Sequence, residues 1–425
     1  MISGILMGGF LILLLLDVPI AFALLGGAMI AMYLTGSLMP AAQSMIATVD
    51  SFTLLTIPLF IMAGDLMNRG GITSRLVDLS NALVGHFKGS LAQTGVVSAM
   101  LFGSVSGSAV ADTAAVGSAV IPPMIKQGYS PAFAAALVAT AGTIGMLMPT
   151  SITLVIFAVT ANLSIAKLLV AGLIPALIMG LLLCIYCYVY AVRNKIDFTD
   201  SFSWRKLFRA AGKAIVPGIT PGIIVTGIVG GVFTPTEAGA VAVVYGACIG
   251  AFVYHELDWK GLLASAVHTV VITGLVMFLI FTSYAFSWVI TMERVPEMFS
   301  SLLLNGTNSG LTVLLLMNLF LLAIGTFLDP TPTILITVPI FLPIAMQFGI
   351  DPTHFAIVFV INMAIAQVSP PAGTVLFTAC GLARVSISQV TPPLIPLMGV
   401  QLLALVVVML VPSLVLLLPN LFFAN

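Results

Sequence analysis

Charge is what this chain has least of. Only 7% of its 425 residues are Asp, Glu, Lys or Arg, whereas a soluble domain carries roughly 25%. Hydrophobic residues make up 60% and the mean hydropathy is +1.22. Such a composition excludes a water-soluble protein of this length and indicates a polytopic membrane protein with little mass outside the bilayer. The formal net charge is zero, so there is no basic surface for nucleic acid. Metal ligands are scarce as well. His86, His255, His268 and His354 fall at no metal-binding spacing. Cys184 and Cys187 make a C-x2-C, but inside an apolar helical run this reads as packing rather than redox chemistry. No nucleophile–base pair is visible, so the chain is not expected to be an enzyme or to hold a cofactor. No Lys or Arg precedes Arg69. The first apolar run therefore lacks the basic region of a cleavable signal peptide, and nothing holds the N-terminus in the cytoplasm.

Against this apolar background the polar residues that remain are conspicuous. The stretch Gly325–Ala379 is apolar enough to sit in a membrane, yet it contains Asp329, Asn362, Gln367 and the break Ser369-Pro370-Pro371-Ala372-Gly373-Thr374. Unwound backbone at membrane depth is tolerated only when it is buried in protein or lines a polar cavity. An intramembrane carboxylate is a functional candidate by default. The stretch also has an earlier copy. Shifting the numbering by 221 puts Pro343, Pro352, Pro370 and Pro396 on Pro122, Pro131, Pro149 and Pro175. The same shift puts Gly349 on Gly128 and Thr374 on Thr153. Matched broken helices in two halves are the best sequence pointer to a transporter's binding site.

In the first copy the run Gly103-Ser104-Val105-Ser106-Gly107-Ser108 leads to Asp112, and a second break spans Gly142–Thr153. Two readings of the first run stand. Small hydroxyl residues bring backbone carbonyls together beside a carboxylate, which suits a hard cation such as Na⁺. The same residues also permit close helix packing in membranes. Ser130-Pro131 and Asp351-Pro352 read as helix starts, with a capping residue and Pro at the first position. Asp17 before Val18-Pro19 reads as a junction cap or an ion ligand. Thr234-Pro235-Thr236-Glu237 reads as a capping box, although Glu237 heads an apolar span where a carboxylate also suits function. Arg193–Lys213 holds six of the 14 cations, with Asp197 and Asp200, and Trp204, Leu207 and Phe208 among them. It reads as a cytoplasmic connector that contains an amphipathic surface helix.

The expected fold is an all-α polytopic membrane protein of roughly 11–12 spans plus two re-entrant hairpins. Residues 1–192 form a first repeat, with a hairpin near 90–126 and a broken helix near 131–162. Residues 193–213 connect it to a second repeat at 214–425, with a hairpin near 310–348 and a broken helix near 352–383. Inverted repeats are expected, which requires an odd number of crossings in each half. The broken segments leave that number open.

Several runs resemble the large membrane subunit of tripartite ATP-independent periplasmic (TRAP) transporters. They are Gly231-Val232-Phe233-Thr234-Pro235-Thr236-Glu237-Ala238, Pro58-Leu59-Phe60 with Gly64, Asn68-Arg69-Gly70-Gly71-Ile72, the GSVSGSAVADTAAVGS run, and the tail of the Gly145–Thr153 break. The resemblance covers essentially the whole chain. It implies a bacterial inner-membrane, elevator-type importer, coupled to Na⁺, for small organic anions such as sialic acid or C4-dicarboxylates. It also implies two partners, a small four-helix membrane subunit, not fused to this chain, and a periplasmic substrate-binding protein. Carried over by position, one Na⁺ site involves Ser104, Ser106, Gly107 and Ser108 with Gly145, Met148, Pro149 and Thr150. The second involves Gly325, Asp329, Gln367 and Pro370. The substrate is expected between the hairpin tips, near Ser106, Asp112, Ser151, Thr153 and Thr374. Arg384 is a candidate partner for its carboxylate or a residue reaching for lipid headgroups. The alternative is a stand-alone ion-coupled carboxylate carrier of the same hairpin architecture, working without a binding protein. Asp329→Ala is expected to abolish uptake while leaving membrane insertion intact, as read by uptake at matched membrane expression. Normal Na⁺-dependent uptake by that variant would remove Asp329 from the site.

Overall fold

In the computed structural model, residues 2–49, 51–196, 203–298 and 309–423 are described, and all regular elements among them are helices. That is the expected outcome for a chain that must satisfy every backbone amide and carbonyl without water. The first half comprises α1 (Ile2–Leu15), α2 (Ile20–Thr35), α3 (Leu38–Val49), α4 (Thr56–Arg69), α5 (Ile72–Val84), α6 (Ser90–Ser106), α7 (Ala109–Lys126), α8 (Pro131–Gly142), α9 (Ile152–Thr160), α10 (Ile165–Ala171) and α11 (Leu173–Arg193). The second comprises α12 (Trp204–Val229), α13 (Pro235–Cys248), α14 (Trp259–Met292), α15 (Gly310–Gly325), α16 (Pro330–Gln347), α17 (Pro352–Ala366), α18 (Thr374–Ala383), α19 (Ile387–Leu410) and α20 (Pro412–Phe423). Asp197 and Asp200 of the basic connector lie outside the described residues.

The internal repeat is visible in the helix boundaries. Helices α7 and α16 are both 18 residues long and begin and end at positions 221 apart. Each carries two internal prolines. Gly128 and Gly349, the matched residues after these helices, both turn the chain with φ of +92° and +74°. Helices α8 and α17 then start at the matched prolines Pro131 and Pro352. Ser130 accepts the amide of Phe133 at 3.2 Å, and Asp351 accepts those of Thr353 and His354 at 2.7 and 3.1 Å. The two halves also exchange contacts reciprocally. Helix α7 packs on α18 while its counterpart α16 packs on α9, and α11 packs on α19. Reciprocal contact is what a two-fold relation between halves requires.

Two groups of helices result. Helices α6–α11 and α15–α20 interlock around the broken segments, with α8 buried against α18 and α19. Helices α1–α5 and α12–α14 form a second group. It meets the first through α4 and α5 on α6, and through α14 on α16. Among the described residues, five helices are long and apolar enough to cross a membrane, or seven if each bent pair is one span. Several other apolar helices are only 10–17 residues long, because the breaks divide runs that look continuous in sequence.

The breaks are also narrower than the Gly/Ser content suggests. Gly103–Ser106 remain helical, and only Gly107-Ser108 separate α6 from α7. The connector differs as well, since α12 runs from Trp204 through to Val229 and no helix end falls at 213/214. Its segments Trp204–Val216 and Gly218–Val229 meet at 57°.

Ser130→Ala and Asp351→Ala should each lower the stability of the detergent-solubilised protein by about 1 kcal/mol. Asp351→Ala should cost more because it removes two capping bonds. Thermal unfolding checks both, and equal melting temperatures for Asp351→Ala and the wild type would show that this cap contributes nothing.

Candidate functional site

The tips of the two hairpins and the two broken helices converge at one place. In the first half, Gly107 reverses the chain at φ +65°. A Cβ there would overlap the Thr150 carbonyl, so the tip and the second break touch backbone to backbone. Thr150 donates its hydroxyl to the Gly103 carbonyl at 3.0 Å. Ser151 caps α9 by accepting the Leu154 amide at 3.1 Å, and it donates its own hydroxyl to the Met146 carbonyl at 2.5 Å. Between these caps the chain passes through a 3₁₀ turn at Thr143–Leu147 and the buried Met148, Pro149 and Thr150. Ser106 donates a hydrogen bond to Asp112 Oδ1 and accepts the Ser108 amide at 3.2 Å.

Asp112 is wholly buried, in the first turn of α7, where the helix N-terminus favours a negative charge. Its Oδ2 has no hydrogen-bond partner. That oxygen sits where Cβ atoms on Gly103 or Gly145 would collide with it. Buried polar oxygens are ordinarily satisfied. A buried carboxylate oxygen framed by two glycines has the donor chemistry of a hard-cation site.

The second half repeats this frame with one change. Ser108 and its counterpart Asp329 are both N-caps, of α7 and α16. Ser108 accepts an amide of its own helix, that of Ala111 at 3.4 Å, whereas the Asp329 side chain makes no capping bond. Its carboxylate instead accepts the Thr374 hydroxyl at 3.2 Å. Asp329 and Thr374 share a small pocket of about 60 Å³ with Gly325, Gln367 and Gly373. Gln367 Oε1 is buried without a partner.

A cleft of about 480 Å³ lies between the two frames. It is lined by Gly107, Ser108 and Thr153 from the first half, and by Asp329, Gln367, Thr374 and Thr378 from the second. Met146 and Ile152 contribute apolar wall, as do Ile61 of α4 and Ile272 and Val276 of α14. Asp329 is the single charged side chain among these lining residues.

The residues expected around the substrate divide. Thr153 and Thr374, the matched pair, face the cleft. Ser106, Asp112 and Ser151 lie buried behind the tip, held by the bonds described above. Arg384 is exposed at the opposite end of α18 from Thr374, with φ +55°, and lines neither cavity. Of the residues expected around Na⁺, Ser104 donates to the Leu101 carbonyl of its own helix at 2.6 Å. Pro370, joined to Pro371 by a cis peptide, lines neither cavity. Glu237 is explained by its cap, because it accepts the Thr234 amide at 2.8 Å while its own amide reaches Thr234 Oγ1 at 3.3 Å.

Two buried contacts had no sequence signal as pairs. Asn362 donates to the carbonyl and side-chain oxygens of Asn318, both at 2.8 Å. Gln401 of α19 donates to the Thr143 hydroxyl at 2.8 Å and to the Thr140 carbonyl at 3.2 Å. Gln401 thus ties the second half to the start of the first half's break.

Gly107→Ala and Gly128→Ala separate geometry from strain. Both residues have positive φ, but open space surrounds Gly128. Gly128→Ala should cost about 1–2 kcal/mol, the left-handed penalty alone. Gly107→Ala should cost distinctly more and displace the Thr150 carbonyl. Equal melting shifts for the two variants would show that the tip and the break are not in tight contact.

The family model for the tripartite ATP-independent periplasmic transporter, DctM component, matches residues 7–414. The chain is 38% identical to the C4-dicarboxylate TRAP transporter large permease protein DctM of Pseudomonas aeruginosa, over 94% of each chain. It is 36% identical to the sialic acid TRAP transporter large permease protein SiaM of Vibrio cholerae, over 97% of each. Both relatives are transporter permeases rather than enzymes. The fold resembles that of the Alcanivorax borkumensis YdaH transporter, with a TM-score of 0.66 over 89% of each chain at 14% identity. With the model match spanning nearly its whole length, this multi-pass membrane protein belongs to the DctM component family of tripartite ATP-independent periplasmic transporters.

Proposed function

We propose that the chain is the permease of a sodium-coupled importer of a small organic anion, in the bacterial inner membrane. The observation that carries this reading is the charge of the cleft. Its lining holds the carboxylate of Asp329 and no cationic side chain. An anion entering alone would meet a like charge, which disfavours binding. A cation held by Asp329, Gln367 and the Thr374 frame removes that repulsion and orders the tip. Cation and anion then favour each other's binding, and by linkage that coupling is reciprocal. The framed Asp112 oxygen supports a second cation on the first-half side. Both named relatives, for C4-dicarboxylate and for sialic acid, handle carboxylates, so the substrate is a carboxylate of that size class.

Movement in this reading is an elevator. The interlocked group of α6–α11 and α15–α20 shifts as a body along α4, α5 and α14, carrying the cleft past their apolar wall. Contact at that boundary is close but slight in chemistry. A Cβ on Gly64 of α4 would come within 3.0 Å of the Ser106 carbonyl oxygen, and such small-residue surfaces slide with little to break. The family also brings a small four-helix membrane subunit and a periplasmic binding protein into the assembly. The first would cover exposed apolar surface of the α1–α5 and α12–α14 group, and the second would deliver the anion.

The test is uptake into proteoliposomes that contain this chain and its small partner. The inward Na⁺ gradient, the presence of the binding protein, and the solute (sialic acid or succinate) are varied in turn. Uptake requiring both Na⁺ and binding protein is the expected result. Na⁺-driven uptake without binding protein would instead establish a stand-alone carrier, and uptake indifferent to Na⁺ would overturn the coupling. Thr374→Val should raise the Na⁺ concentration for half-maximal uptake by about tenfold or more, since one hydrogen bond to a charged group contributes about 1.5–3 kcal/mol.

A further inference from the structure

We infer that the junction between α5 and the N-terminal half of α12 is a binding site for the headgroup of an anionic glycerophospholipid. Two adjoining grooves of about 440 and 490 Å³ lie there, sharing Asp78 and Lys213. Arg205, Lys206, Arg209 and Lys213 line the first groove, and Arg75 with Lys213 lines the second. Asp78 is the carboxylate among them. Arg75 is pinned by Glu256 at 2.9 Å and by the Tyr254 ring, whose centroid is 3.6 Å away. Arg205, Arg209 and Lys213 of α12 therefore supply the positive field.

The arrangement around α12 selects the ligand. At 3.6 residues per turn, the helix has three sectors. Ala210 and Ala214 are buried. Trp204, Phe208 and Ile215 fall within roughly 40° of one another and are 63%, 69% and 63% exposed. Arg205, Lys206, Arg209 and Lys213 fill the sector between the buried side and the apolar stripe. The Trp204 and Phe208 rings stack with centroids 5.9 Å apart. A ligand that uses both sectors has an anion at one end and long apolar chains at the other. Inorganic phosphate or an acidic peptide would leave the aromatic stripe in water. The 57° angle between Trp204–Val216 and Gly218–Val229 lets this half lie along the surface while the rest of α12 enters the bilayer. Its cations place it on the cytoplasmic side, where anionic lipids concentrate and each nearby cation contributes to attraction.

The test uses the full chain in phosphatidylcholine nanodiscs, with Trp259 and Trp288 replaced by Phe so that Trp204 reports. Brominated-chain phosphatidylglycerol and brominated-chain phosphatidylcholine are added in parallel at equal amounts. The expected result is stronger quenching of Trp204 by the anionic lipid, an advantage that high salt removes. Substituting Arg205→Gln, Arg209→Gln and Lys213→Gln should erode the preference by roughly fivefold for each cation removed. Equal quenching by both lipids in the parent protein would overturn the inference. So would a preference that survives the triple substitution, or one abolished by inorganic phosphate at equal ionic strength, which would mark a free-phosphate site. The salt series on the parent protein decides the question even if the triple variant fails to fold.

Discussion

A backbone carbonyl at membrane depth needs a partner, and no water is there to supply one. At the tip of the first hairpin the helix ends at Gly107, and the Gly103 carbonyl, which already accepts the Gly107 amide at 3.0 Å, uses its second lone pair to accept the hydroxyl of Thr150, 47 residues away. That contact goes with much else. It brings the second break against the tip, demands a glycine at the turn, and packs Gly103 on Gly145 with no room for side chains. The buried Asp112 carboxylate is then enclosed by backbone rather than by cationic side chains. Opening the helix is expensive in a bilayer. Its consequence is a set of oriented oxygens in a dry, rigid frame.

The second half builds the same frame and exposes its charge. Replacing a serine cap with Asp329 puts the carboxylate in the cleft instead of behind it. The matched threonines Thr153 and Thr374 both line that cleft. Pseudo-symmetry therefore supplies the shape, and one substitution supplies the polarity. The rest of the wall comes from α4 and α14, which belong to the other group of helices. A cleft with one wall on each of two bodies changes its accessibility when the bodies shift. That is the structural basis for reading the two helix groups as carrier and support.

Much of this was legible beforehand. Composition gives the membrane location because 7% charge leaves no alternative. The 221-residue offset holds for the bounds of α7 and α16, the starts of α8 and α17 and the turn glycines Gly128 and Gly349, because prolines and glycines act on the local backbone whatever surrounds them. The caps at Ser130, Asp351 and Thr234 formed as read for the same reason. The breaks at Gly107-Ser108 and Gly142–Thr153 were located, but their extent was not. Serine and glycine stay helical through Ser106 because neighbouring helices press on them more strongly than their weak propensity resists.

Tertiary structure decided which polar residues share a space. Ser106, Asp112 and Ser151 appear equivalent to Thr153 in sequence, yet burial behind the tip separates them from the cleft. Arg384 is near the second break in the chain but a helix length away from Thr374. The pairing of Asn318 with Asn362, and of Gln401 with Thr143 across 258 residues, depends on how the two halves interlock. The sequence by itself determined the membrane location, the repeat and the places where helices start and break, because those follow from solvation and local backbone chemistry. Which oxygens face the cleft was decided only by packing between segments far apart in the chain.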